Sequence, residues 1–165
     1  MLIFIEYITM SWYKPKVNQT EGVKQYLIDL SNVFYILNSK KQRIPYKMEP
    51  HQIEWHAHDV VPQGASAKHK LVIKSRNTSF TTSAIITVLA SVPYYPNQVI
   101  PVVRLNQTRA NDLIEDFKSM IRNMKPIREE NGSLWPFDPG KVNMENSSSI
   151  KFPNGVEIRA FPATN

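Results

Sequence analysis

Apolar residues recur at spacings of three and four in two stretches of the 165-residue chain, the mark of a helix with one buried face. In the first, Val23, Leu27, Leu30, Phe34 and Leu37 predict a helix that Thr20 caps and that runs to about Ser39. Its tail, Lys40-Lys41-Gln42-Arg43, suits a helix C-terminus, where cations meet the negative end of the dipole. In the second, Ala110, Leu113, Ile114, Phe117, Met120, Ile121 and Met124 form the clearest stripe and predict a helix over about Gln107 to Met124. Shorter apolar runs lie between them. His69 to Lys74 and Val99 to Val103 read as strands, and Pro101, lacking an N–H, limits the second to an edge strand or to a strand's first residues. After Pro45 to Glu49, an extended linker, Pro50 opens a helix running to Asp59, and another apolar helix ends near Ser91. Beyond Pro126, residues 127 to 146 read as a polar, Pro-containing loop. Ser149 to Phe152 and Val156 to Phe161 flank Pro153-Asn154-Gly155, a strong hairpin signal. Strand, helix, strand, helix at these lengths predicts an α/β protein with a parallel sheet and right-handed crossovers.

Composition narrows the class without naming a function. With 42% hydrophobic and 21% charged residues, the chain has the makings of a globular core. The absence of cysteine excludes disulfides and thiolate metal sites, and fits a cytoplasmic setting. A formal charge of +6 points to an anionic partner, nucleotide phosphate or DNA, or to a solvated basic surface. Met1 to Ile8 is apolar but short and interrupted by Glu6, so neither a signal peptide nor a membrane span is expected. Met10 is a second candidate start.

The chemistry concentrates where the strand ending at Lys74 enters the polar turn Ser75-Arg76-Asn77-Thr78-Ser79-Phe80, before Thr81-Thr82-Ser83 opens a helix. Strand, tight loop and helix is the local order of a phosphate cradle, in which loop N–H groups and a helix N-terminus attract an anion. Lys74 reaches over the loop toward β- and γ-phosphates, Arg76 offers a forked contact, and Thr81 or Thr82 a hydroxyl for Mg²⁺. The usual spelling has glycines in the loop and its lysine at the end; here the loop has no glycine and the lysine comes first. An ordinary strand–turn–helix with a hydroxyl cap fits the same residues. His51, His56 and His58 tempt a metal assignment, but helical spacing sets only His51 and His58 on one face, two turns apart. No metal centre is expected there. The acidic pairs Glu115-Asp116 and Glu129-Glu130 follow no apolar strand, so a carboxylate pair for metal and water is missing.

Four stretches resemble the ATPase domain of the large terminase subunit, the DNA-packaging motor of tailed bacteriophages and related viruses. Lys74-Ser75-Arg76-Asn77-Thr78-Ser79-Phe80-Thr81-Thr82 is similar to the family's variant Walker A loop, which some members write Lys-Ser-Arg-Gln-x-Gly-Phe-Ser/Thr. By that match Lys74 is the displaced phosphate-binding lysine, Thr81 the magnesium hydroxyl and Arg76 a further loop cation. Pro50 to Trp55 resembles the segment ahead of the loop, in which a glutamine reads adenine; that role falls on Gln52. Val102 to Ala110 is similar to the strand-to-helix segment after the loop, and Phe152 to Ala163 to the family's Pro-Asn-Gly hairpin. The resemblance covers about residues 45 to 165, leaving 1 to 44 as an arm and amphipathic helix.

The resemblance implies a P-loop NTPase-like, Rossmann-like sheet flanked by helices, truncated and closing on a β-hairpin. It implies ATP and Mg²⁺ as cofactors, and in the complete family protein a ring acting on double-stranded viral DNA with portal and small terminase subunit, in the host cytoplasm. The 165 residues stop ahead of the family's Walker B carboxylates and nuclease domain, so ATP binding without appreciable hydrolysis is expected of them. Another P-loop motor of helicase type, and a non-catalytic basic DNA-binding module, are the alternatives. Ser79 stands where the family has glycine, and Asn77 where it has glutamine. If position 79 needs a positive φ, serine there costs of order 1 kcal/mol.

Overall fold

The computed structural model describes residues 24–25, 28, 32–54, 79–94, 96–128 and 132–163. They form a mixed α/β fold with small sheets and two substantial helices. In chain order these are β1 (Tyr35–Leu37), β2 (Arg43–Pro45), helical residues 50–54, α1 (Phe80–Ser91), β3 (Val99–Arg104), α2 (Gln107–Asn123), β4 (Ile127–Arg128), β5 (Leu134–Trp135), β6 (Ser149–Lys151) and β7 (Glu157–Pro162). The strand expected over His69 to Lys74 lies outside the described residues, as does the segment from Trp55 to Thr78 that contains it.

The main sheet has the order β3-β7-β6 and is mixed. β3 runs parallel to β7, Val102 opposite Ala160, and β6 runs antiparallel to β7, Ile150 opposite Ile158. Among the described strands of this sheet β3 is the outermost, a position at which Pro101 is tolerated. The expected hairpin forms around Pro153-Asn154-Gly155: Gly155 N–H donates to the Phe152 carbonyl (3.0 Å) and Phe152 N–H to that of Val156 (2.8 Å). Gly155 is needed twice over, having φ +82° and standing where a Cβ would lie 2.2 Å from the Asn97 Oδ1.

The amphipathic stripe of α2 is buried throughout, from Ala110 to Ile121, with Met124 just beyond, and packs on β3, β7 and β6. α1 is different. Every residue from Ser83 to Ala90 is buried, as expected of a helix apolar all round. Its interior hydroxyls are satisfied within the helix: Ser83 donates to the Phe80 carbonyl and Thr87 to that of Ser83, both at 2.9 Å.

Two expectations fail near the ends of the elements. The helix expected to reach Ser39 gives way to a β-hairpin. Residues 24, 25 and 28 are helical, but Val33 and Phe34 turn into the common core, and the β-favouring run Tyr35-Ile36-Leu37 pairs with β2. Asn38 makes the turn, its Oδ1 accepting from the N–H groups of Lys40 (3.0 Å) and Gln42 (2.9 Å), while Lys41 takes φ 59°. Arg43 does meet a helix C-terminus, but that of α2: its guanidinium donates to the carbonyls of Asn123 (2.7 Å) and Met124 (2.8 Å). β2 spans positions 44 and 45, and Val33 and Phe34 share one core with α1 and α2. The supposed plain loop of 127 to 146 contains the β4–β5 pair and a 3₁₀ turn, Pro139–Lys141, capped by Asp138.

Candidate phosphate-binding helix start

α1 runs against the direction of the parallel strands. Near its beginning, Thr81 lines one narrow cleft with Val102 and Val103, at the C-terminal half of β3. At its far end, the Asn154 side-chain amide, in the turn ahead of β7, donates to the Val92 carbonyl at 2.8 Å. The start of α1 therefore faces the sheet end at which the carboxyl ends of β3 and β7 lie. Ligands of open α/β sheets bind at that end.

Ser79 precedes α1 with φ 50° and ψ 18°, in the left-handed region. Its side chain makes no capping hydrogen bond, although serine is a favoured cap. The first turn of α1 carries no acidic residue that would repel an anion, and helix geometry leaves the N–H groups of Thr81 and Thr82 without an intrahelical acceptor. Both threonines are half-buried, and Phe80 is buried in the core side of the turn.

Behind this turn lies a buried polar group. Gln52 is 0% exposed, and its Oε1 accepts from Glu49 N–H at 2.9 Å and from the Tyr46 hydroxyl at 3.0 Å. The Tyr46 hydroxyl also faces the Ser79 carbonyl at 3.3 Å. Burial pushes the Tyr46 phenol above its ordinary range, with the Gln52 contact opposing the shift. At the carboxyl end of β3, the Arg104 Nε is buried with no hydrogen-bond partner in the described structure. Asp116 on α2 titrates high because of burial, against the lowering influence of Arg104.

Of the residues singled out in the sequence, Gln52, Ser79, Phe80, Thr81 and Thr82 are described, and the structure brings Gln52 and Ser79 together through Tyr46. Lys74, Ser75, Arg76, Asn77 and Thr78 lie outside the described residues. His51 is exposed, His56 and His58 are not described, and no group of three potential metal ligands occurs among the described residues. Tyr46 was missed because it sits in a linker-like stretch and its partner Ser79 is 33 residues away. An aromatic residue four positions ahead of Pro50 was the one available signal. Among the described residues no helix is long and apolar enough to cross a membrane. A scan of protein-family models finds no match to this chain, and no curated protein matches its sequence.

Proposed function

We propose that the chain is the amino-terminal part of a terminase-like P-loop ATPase module, which binds Mg·ATP at the start of α1 and serves a motor acting on double-stranded DNA. One observation carries the reading: Ser79, at the position where the resembling family has glycine, adopts the left-handed backbone that favours glycine. A phosphate loop needs that kink so that successive N–H groups converge on one anion. The acid-free first turn of α1 and its place at the carboxyl ends of parallel strands support the same reading.

In this reading Lys74 and Arg76 neutralise the phosphates, and the N–H groups of Thr81 and Thr82 hold them against the helix dipole. The Thr81 hydroxyl is the group that would hold Mg²⁺, which when bound would neutralise charge on the β- and γ-phosphates. The module binds and orients the triphosphate; hydrolysis is not proposed for these residues alone.

The test is an equilibrium titration of the purified chain and its Lys74→Ala variant with Mg·ATP. Saturable binding is expected, weakened roughly 10- to 100-fold in the variant through loss of a charge-assisted contact. No nucleotide binding, together with salt-sensitive DNA binding that Lys74→Ala leaves unchanged, would establish the DNA-binding module instead.

A further inference from the structure

We infer that Tyr46 and Gln52 form a strut that sets the start of α1, acting on the triphosphate end of a bound nucleotide and not on its base. The inference rests on the proposed nucleotide site, but its geometry is independent of that site. To read adenine, a glutamine must offer its carbonyl to the base's amino group. An amide oxygen has two lone pairs, and Gln52 Oε1 already accepts two hydrogen bonds, from Glu49 N–H and the Tyr46 hydroxyl. The whole residue is buried at 0% exposure. Its accepting group is committed inward.

What the commitment accomplishes is visible at Ser79. A serine in the left-handed region sits in a conformation that L-residues avoid, and its own hydroxyl does not anchor it. Its carbonyl takes the helix's first hydrogen bond, from Ser83 N–H at 3.1 Å, and lies 3.3 Å from the Tyr46 hydroxyl, whose single proton is shared between this carbonyl and the nearer Gln52 Oε1 at 3.0 Å. Tyr46 is in turn fixed to the core, its N–H donating at 3.0 Å to the carbonyl of the fully buried Phe34. The chain of contacts runs from Phe34 through Tyr46 to the peptide that orients the first turn of α1. Gln52 keeps the Tyr46 hydroxyl in place from the other side. Tyr46 and Gln52 are positioning residues: neither touches the phosphates in this arrangement.

The distinction between strut and base reader is measurable. The full chain, Tyr46→Phe and Gln52→Met are titrated with Mg·ATP, Mg·GTP and magnesium tripolyphosphate. Tyr46→Phe keeps the ring and its packing while removing the hydroxyl. Each variant is expected to weaken all three ligands by a common factor of about tenfold, leaving the ATP-to-GTP ratio within about twofold of the wild type. Loss of ATP affinity in Gln52→Met with GTP and tripolyphosphate unchanged would make Gln52 a base reader and overturn the strut. Hydrogen exchange supplies a ligand-free arm. The Ser83 amide is expected to exchange about tenfold faster in Tyr46→Phe, with the Ala110 amide of α2 unaffected. Unchanged exchange at Ser83 would sink the strut even where nucleotide binds. A wild-type chain that takes none of the three ligands would defeat the nucleotide reading, and with it the role at the triphosphate, while faster Ser83 exchange would still establish the strut's geometry.

Discussion

The two long helices begin in opposite ways. α2 starts conventionally: Asn106 is extended, with φ −141° and ψ 170°, and its side chain accepts from Arg109 N–H at 2.9 Å. α1 starts with a residue equally able to cap, yet Ser79 is left-handed and its hydroxyl accepts nothing from the helix. The cap of α2 is internal and local, three residues long. The restraint on α1 comes from outside, through a tyrosine 33 residues earlier. A helix start closed by its own side chain has little left to offer a ligand. One with no side-chain cap keeps its first N–H groups available to an anion.

The sharpest way to break the comparison is to remove the outside restraint. Tyr46→Phe is expected to cost about 1–2 kcal/mol of stability in urea or thermal unfolding, since the buried Gln52 Oε1 loses one of its two donors and the Ser79 carbonyl loses the shared contact. Asn106→Ala should cost about 1 kcal/mol, the ordinary value of a lost side-chain cap. Ser79→Gly should do the reverse, gaining about 1 kcal/mol by relieving the left-handed strain. If Ser79→Gly were to destabilise the protein as Asn106→Ala does, the contrast between the two helix starts would collapse.

Much of this arrangement was legible in the sequence because it rests on local pattern. The stripe from Ala110 to Met124 could only be a helix with one buried face, and Asn154-Gly155 could only be a tight turn between the strands that flank it. The β1–β2 hairpin was hidden because Phe34 and Leu37 happen to continue a helical spacing begun at Val23. Periodicity carried across a real boundary there, and the β-favouring run Tyr35-Ile36-Leu37 decided the outcome. Tyr46 was out of reach for a different reason. Its role depends on a contact with Ser79 that only the packed core brings together, and no spacing rule encodes such a pair.

The smallest expected effect is a pH dependence. Burial favours the neutral Tyr46 phenol in the folded state, so the folded pKa lies above the unfolded one, whose ordinary value is 10.0. The folded state then binds a proton more tightly than the unfolded state, and stability falls as pH climbs past about 10. Below that pH the contribution is fully present. Chemical denaturation between pH 8 and roughly 11 should show this decline in the wild type and a shallower one in Tyr46→Phe. Equal slopes would mean that Tyr46 is as well solvated in the fold as in the unfolded chain.

The most direct measurement of the central claim is a residue-resolved ¹⁵N amide titration with Mg·ATP that compares the two helix starts in one experiment. The account predicts saturable shifts at Thr81 and Thr82 in the first turn of α1, with Thr108 and Arg109 in the first turn of α2 still. Shifts at α2, or shifts that spread over the exposed lysines without saturating, would contradict it.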